Sequence, residues 1–412
     1  MEFRVLSKDE YISFSRNHAL ANFLNAYEYN EMRAKDGYKT ELLGVLENGE
    51  VVAAVALVYL KVKRIFQYAY GPRGFVMDYD NKEVLHFFVS ELKKHLKKQK
   101  VAYLFINPFV RAQQRDKFGN LVEGGYDNRY VTEELETCGF KHHGYTSGIS
   151  SNEIRFMYQI DIPFENEQEL LKSFERNARR EVENALKLNL QFRELKREEL
   201  PIFVDVLEAT QKRKNFAGRG LPYYTKMYDA FTPIDGIVYK CVEMNVKNAL
   251  DDAKALEASL KEEIASISAT GENLSKKLLN KINEKENQLR KTSTRVVEFE
   301  KIYNEKGENI ILAAGMWYKY GGEYLCLSSG VYEEYMKFSG PSFMHYSMMK
   351  EVMETEGYYR YNFYGISGDF TKEAEDYGVL TFKQGFGGYV EELLGDFTLV
   401  IDELKYKVIN ML

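Results

Sequence analysis

The sequence predicts an α/β protein, α+β in its order of elements, built from two similar units and a helical arm. Three observations carry this. A hairpin, a helix and a buried strand follow one another twice along the chain. Residues 246–304 contain no proline and interrupt the second occurrence with a long apolar periodicity. The 412 residues are 45% hydrophobic, enough for two to three separate cores.

The first unit is expected at 1–148. Residues 8–35 read as helix, ended by Asp36-Gly37. "TELLGVLENGEVVAAVALVYL" reads as a hairpin around Asn48-Gly49, since both turn positions favour residues that accept positive φ. "RIFQYAYGPRGFVMDY" follows as strand and loop, then a helix at 82–99 and the buried strand in "AYLFINPFV". "VVAAVALVYLKV" covers about half a bilayer, so it reads as a buried strand. The opening "MEFRVLSKDEYISF" has early charges and no apolar core, which argues against a secretory signal.

The second unit is expected at 149–245 and 305–395, with 396–412 as a C-terminal segment. "RFMYQIDI" reads as strand and 167–188 as helix. "NIILAAGMWYKYGGEYLCLSSGVY" reads as strand–turn–strand, 341–356 as helix, and "YYRYNFYGISG" as strand and loop. In "GVLTFKQGFGG" (378–388), Val379, Leu380, Thr381 and Phe382 read as a buried strand and the glycines as a tight turn. Lys383 sits between them, either as a solvated edge charge or pointing into a cleft.

The arm is expected at 246–304. Val246, Leu250, Ala253, Leu256, Leu260, Ile264 and Ile267 step by three and four, and so do residues from Leu274 to Phe299. Residues 246–268 carry three basic and five acidic side chains; 274–301 carry eight and four. Opposite signs suit two helices folded back on each other around Gly271, an antiparallel coiled coil about 35–40 Å long.

Composition narrows the chemistry. A net charge of −6 provides no global attraction for nucleic acid, so any RNA contact is local. Cys138, Cys241 and Cys326 are scattered, which argues against a disulfide frame or zinc site and suits a reducing cytoplasm. Residues 171–220 are locally basic, with twelve Lys or Arg against eight Asp or Glu. Arg176, Arg179 and Arg180 lie mostly opposite an apolar helix stripe. From charge alone that face is a solvated surface, although a polyanion would use the same arrangement. "EATQKRKNFAGRGLPYY" mixes cations with aromatics ahead of a proline, as a ligand rim would. The chain has no GxSxG, HExxH or Walker loop, and no pyrophosphate loop of the coenzyme A acyltransferases.

The C-terminal motifs "YNFYGISG", "GVLTFKQGFGG" and "GDF", with "YGPRGFVMDY", "NARREVENALKLNLQF" and "EATQKRKNF" in order before them, resemble the FemABX family of nonribosomal peptidyltransferases. The resemblance covers essentially the whole chain and includes the arm. It implies two acetyltransferase-like (GNAT-like) units in tandem, acting in the cytoplasm without a cofactor. The implied donor is an aminoacyl-tRNA carrying alanine, serine or glycine. The implied acceptor is a muramoyl-pentapeptide on UDP or on a lipid pyrophosphate (lipid II), with peripheral contact at the inner membrane face. It makes Lys383, beside Phe382, the cation that stabilises the oxyanion formed when the acceptor amine attacks the ester. It assigns Arg213 and Arg33 to the acceptor's phosphates or carboxylate. Tyr223, Tyr364 and Gly365 of the 361–368 loop are assigned to the peptide or sugar. Asn107 falls where relatives often have aspartate, so no general base is assigned. Arg176, Arg179 and Arg180 become tRNA candidates. The competing readings are a coenzyme A-dependent N-acyltransferase and a coiled-coil interaction protein with a retired site.

Overall fold

The computed structural model describes residues 1–62, 65–148, 153–214, 218–269 and 275–411. Two mixed sheets of eight strands organise them. The first runs, neighbour to neighbour, Glu2–Val5, Lys39–Glu47, Glu50–Val62, Phe66–Gly71, Tyr103–Ile106, Phe397–Val400 and Phe140–His142, with Val76–Met77 beside Glu50–Val62. The second runs Gln191–Glu194, Ile237–Asn245, Asn309–Tyr320, Glu323–Val331, Arg360–Ile366, Phe156–Asp161, Tyr389–Leu393 and Arg111–Gln114.

The repeat in the sequence is a repeat in topology. In each sheet an antiparallel meander leads into a helix, Lys82–Lys98 or Gly340–Glu354, and the next strand returns parallel to the last. Returning parallel requires such a crossover, because a tight turn only reverses the chain. The two units also exchange strands. Phe397–Val400 of the segment 396–412 lies inside the first sheet, with Phe397 and Leu399 fully buried, and Arg111–Gln114 pairs with Tyr389–Leu393 of the second.

Local signals explain most boundaries. Asn48 and Gly49 both have positive φ and close the predicted hairpin. Asn81 caps the helix Lys82–Lys98 by accepting from the Val84 N–H. Three expectations need correction. The run 8–35 is two helices, Lys8–Ser15 and Tyr27–Lys35, because Asn22 and Asn25 form a reciprocal cap around a 3-10 turn between them. The helix at 167–188 breaks at Phe174, which is extended; the Glu175 N–H donates to the Gly385 carbonyl instead. "VLTF" is not a strand but part of the helix Tyr377–Gln384. Its buried residues, Leu380 and Lys383, lie three apart with buried Phe386 three further on, the spacing of one helical face.

The arm comprises the helices Val246–Ser268 and Lys276–Lys306. Lys254–Glu300, Glu257–Ser293 and Glu263–Lys285 pair across it, rising in one helix as they fall in the other, so the helices are antiparallel. Val246, Leu250, Val296 and Phe299 bury its base, whereas Leu256 and Leu279 are exposed, since a lone pair of helices covers only one face of each. The expected turn at Gly271, with Leu274, lies outside the described residues.

Candidate active site

The centre of the site is a strand with one extra residue. Asn362 pairs with Gln159 and Gly365 with Met157, so Phe363 and Tyr364 form a bulge in Arg360–Ile366. Tyr364 has φ +63, a conformation that a bulky side chain adopts only when its surroundings impose it. Asn362 imposes it: the Tyr364 N–H donates to Asn362 Oδ1 at 2.8 Å, while buried Asn362 donates to Glu323 at 3.0 Å.

The bulge turns two carbonyls toward Lys383. Lys383 Nζ donates to Tyr364 O at 3.1 Å and to Gly365 O at 2.7 Å, and the residue is only 7% exposed. An ammonium has three donors. The described residues supply acceptors for two, leaving one N–H for a ligand. Burial pulls the lysine down to about 8, against the opposing fields of Cys326 and Asp376. The group is therefore a cation at neutral pH held in a low-dielectric wall. Phe382 packs its ring on His345 and Phe386, at centroid distances of 5.5 and 5.3 Å, and so fixes the helix that carries Lys383. Gly365 is confined, because a Cβ there would meet the Ile154 side chain at 3.0 Å.

A second cluster joins the two sheets. Asn107 Oδ1 accepts from the Arg73 backbone N–H at 2.9 Å, and Asn107 Nδ2 donates to the Tyr70 hydroxyl at 3.2 Å. That hydroxyl donates to Glu153 at 3.2 Å. The buried Arg73 guanidinium donates to the Ile154 carbonyl at 2.9 Å and lies 3.9 Å from the Glu153 carboxylate, and its charge reaches the Tyr364 hydroxyl. Tyr29 and Tyr223 also lie within the Glu153 field, and Arg219 sits 5.1 Å from the Tyr223 ring centre. Arg33 stacks on Tyr38 at 4.0 Å and acts on Tyr29.

Tyr364 thus links the halves, with its carbonyl on Lys383 and its side chain within the field of Arg73. Of the residues singled out in the sequence, Lys383, Phe382, Gly365, Tyr364, Tyr223, Asn107 and Arg33 converge here. Arg213 does not; it is exposed and donates to Met336 Sδ at 3.3 Å. Arg179 donates to the carbonyls of Lys172 and Phe174 and so caps the preceding helix, while Arg176 and Arg180 are exposed beside it. Sequence reasoning missed Tyr29, Tyr70, Arg73 and Glu153. The loop "YGPRG" held a signal for the middle two; Glu153 has none in its neighbours.

Residues 6–412 match the FemAB family. The chain belongs to the FemAB family. FemAB relatives include the aminoacyltransferase FemA of Staphylococcus epidermidis, 30% identical over 100% of this chain and 99% of the relative. FemA of Staphylococcus aureus (strain MRSA252) is 29% identical over 98% of this chain and 97% of its own. The crystal structure of FemX superposes with a TM-score of 0.81 at 28% identity, over 99% of each chain. Two-sheet architecture and FemAB membership therefore agree.

Proposed function

We propose that this FemAB aminoacyltransferase moves one amino acid, alanine, serine or glycine, from aminoacyl-tRNA to a peptidoglycan precursor. The acceptor is the lysine side chain, or the growing cross-bridge, of a muramoyl-pentapeptide carried on lipid pyrophosphate or UDP. The observation that carries the reading is the buried Lys383 ammonium, anchored by two carbonyls with one N–H left over.

Aminolysis of an ester needs little more than positioning and charge stabilisation, because the ester is already activated. The acceptor amine attacks the ester carbonyl and negative charge grows on its oxygen. A pre-placed cation in a dry wall stabilises that oxygen with no reorganisation, and removing such a donor typically costs about 10²–10³ in kcat. The tyrosines at 29, 70, 223 and 364 offer ring faces and hydroxyls to a sugar and peptide, and Arg33 and Arg219 offer charge to phosphate or carboxylate. Coenzyme A would need a backbone pyrophosphate loop that the sequence lacks. An enzyme of net charge −6 would hold only the aminoacylated end of tRNA, weakly and salt-sensitively, with Arg176 and Arg180 as candidate phosphate contacts.

Among the described residues no helix is long and apolar enough to cross a membrane. We propose peripheral contact at the inner membrane face, where a lipid-linked acceptor would lie. Full activity confined to the UDP-linked precursor, with no vesicle binding, contradicts that part. The reaction itself is tested by mass spectrometry of the acceptor after incubation with charged tRNA: a gain of one aminoacyl group supports the reading.

A further inference from the structure

Asp376 stands immediately ahead of the helix Tyr377–Gln384 that carries Lys383. An aspartate in that position ordinarily caps its own helix, accepting from a backbone N–H of the first turn. Asp376 makes no such bond. Its carboxylate crosses instead to Ser367, accepting from the backbone N–H at 2.7 Å and from the hydroxyl at 2.6 Å. Ser367 is itself held: its carbonyl accepts from the Gly148 N–H at 2.6 Å, and its hydroxyl oxygen from the Asp369 N–H at 3.1 Å.

Asp376, Leu380 and Lys383 step by four and three, so they share one helix face, with about two turns between the first and the last. At one end of that face Asp376 holds Ser367. At the other, Lys383 Nζ holds the Tyr364 and Gly365 carbonyls. All three partners belong to one short stretch, the end of the strand Arg360–Ile366 and the residue after it. A helix tied at one point can pivot. Tied at two points two turns apart, it is fixed in both rotation and height.

We infer that Asp376 is a positioning residue for the transfer: by clasping Ser367 it locks the helix against the bulged strand and holds the Lys383 ammonium in place for the oxyanion. The inference rests on the aminoacyl-transfer reading above. The clasp also places a charge. Cys326 faces Lys383 from Glu323–Val331, and His345 faces it from Gly340–Glu354. Burial pushes that thiol up to about 12, and burial with Lys383 pulls that imidazole down to about 3, so both are neutral at pH 7. Asp376 brings the carboxylate, whose field favours the protonated lysine.

The test compares full-length wild type, Asp376→Asn, Ser367→Ala and Ser367→Thr, each checked for folding by circular dichroism. Asparagine can accept from the Ser367 N–H and donate to its hydroxyl, so it keeps both links and removes the charge. Ser367→Ala removes one link and keeps the charge. Transfer to the lysine muramoyl-pentapeptide is followed between about pH 6 and 10, with trace acetylation of Lys383 by acetic anhydride read by mass spectrometry over the same range. Expected for Asp376→Asn is that the alkaline limb of kcat/KM and the Lys383 labelling midpoint both move to lower pH. Expected for Ser367→Ala is a loss of at least about tenfold in kcat at pH 7, KM little changed, with recovery in Ser367→Thr. With an active wild type, an unmoved limb and midpoint in Asp376→Asn, or wild-type kcat in a folded Ser367→Ala, overturns the inference alone. A wild type that transfers nothing overturns the underlying reading and this inference with it.

Discussion

The Lys383 ammonium and the Tyr364 carbonyl oxygen are 3.1 Å apart, joined by a hydrogen bond that the bulge at Phe363–Tyr364 makes available. A regular strand would give that carbonyl to a neighbouring strand. The irregularity in the sheet and the fixed charge in the site are one feature.

Activity should fall on the alkaline side. Lys383 is needed as a cation and loses its proton near pH 8. Its folded value lies below that of an unfolded lysine, so the unfolded chain binds the extra proton between about 8 and the ordinary lysine value, near 10.4. Stability from this residue therefore rises with pH across that window while transfer declines. A pH profile of kcat/KM that stays flat to pH 10 contradicts the assignment.

His345 should make the fold acid-sensitive. It is buried, Nδ1 lies 2.6 Å from the Tyr361 hydroxyl, and burial with help from Lys383 pulls it down to about 3. The unfolded chain protonates this residue below about 6.5, so stability falls by up to about 1.4 kcal/mol per pH unit from there down toward 3. Urea titrations of His345→Gln and wild type between pH 7 and 5 should show the smaller slope in the variant.

Tyr364→Phe should separate binding from chemistry. It deletes the hydroxyl that lies in the field of Arg73 but leaves the carbonyl on Lys383. Loss of one hydrogen bond from that hydroxyl to the acceptor, about 1–1.5 kcal/mol, corresponds to roughly a tenfold rise in acceptor KM, with kcat nearly unchanged. Steady-state kinetics with the precursor varied checks this.

Gly388→Ala should unfold the second unit early. Gly388 has φ +89, and a Cβ there would stand 2.3 Å from the Gln159 carbonyl oxygen, which is held in the sheet. Left-handed strain and the clash together should cost at least about 2 kcal/mol. Thermal denaturation would show it.

Much of this was legible in the sequence because local chemistry decided it. Asn48-Gly49 fixes a hairpin without help, and residues 246–268 and 276–299 announce helices by spacing. The helix at Tyr377–Gln384 was not legible, since a short apolar run looks the same in helix and strand and only tertiary packing chooses. Lys383 was singled out through its motif, but its two carbonyl partners depend on a bulge nineteen residues upstream that no local pattern marks. Glu153 escaped notice for a similar reason: its partners, Tyr70 and Arg73, lie about eighty residues earlier and meet it only where the sheets adjoin.

The most direct test is transfer by Lys383→Met beside wild type, with alanyl-, seryl- and glycyl-tRNA and both precursor forms. Methionine fills the lysine's volume without its charge. Loss of the charge relieves a buried cation but leaves two carbonyls unmet, so stability should change by no more than about 1–2 kcal/mol. A catalytic Lys383 predicts a folded protein with transfer reduced about 10²–10³-fold against a wild type that adds one aminoacyl group. A folded Lys383→Met protein with wild-type transfer would contradict it.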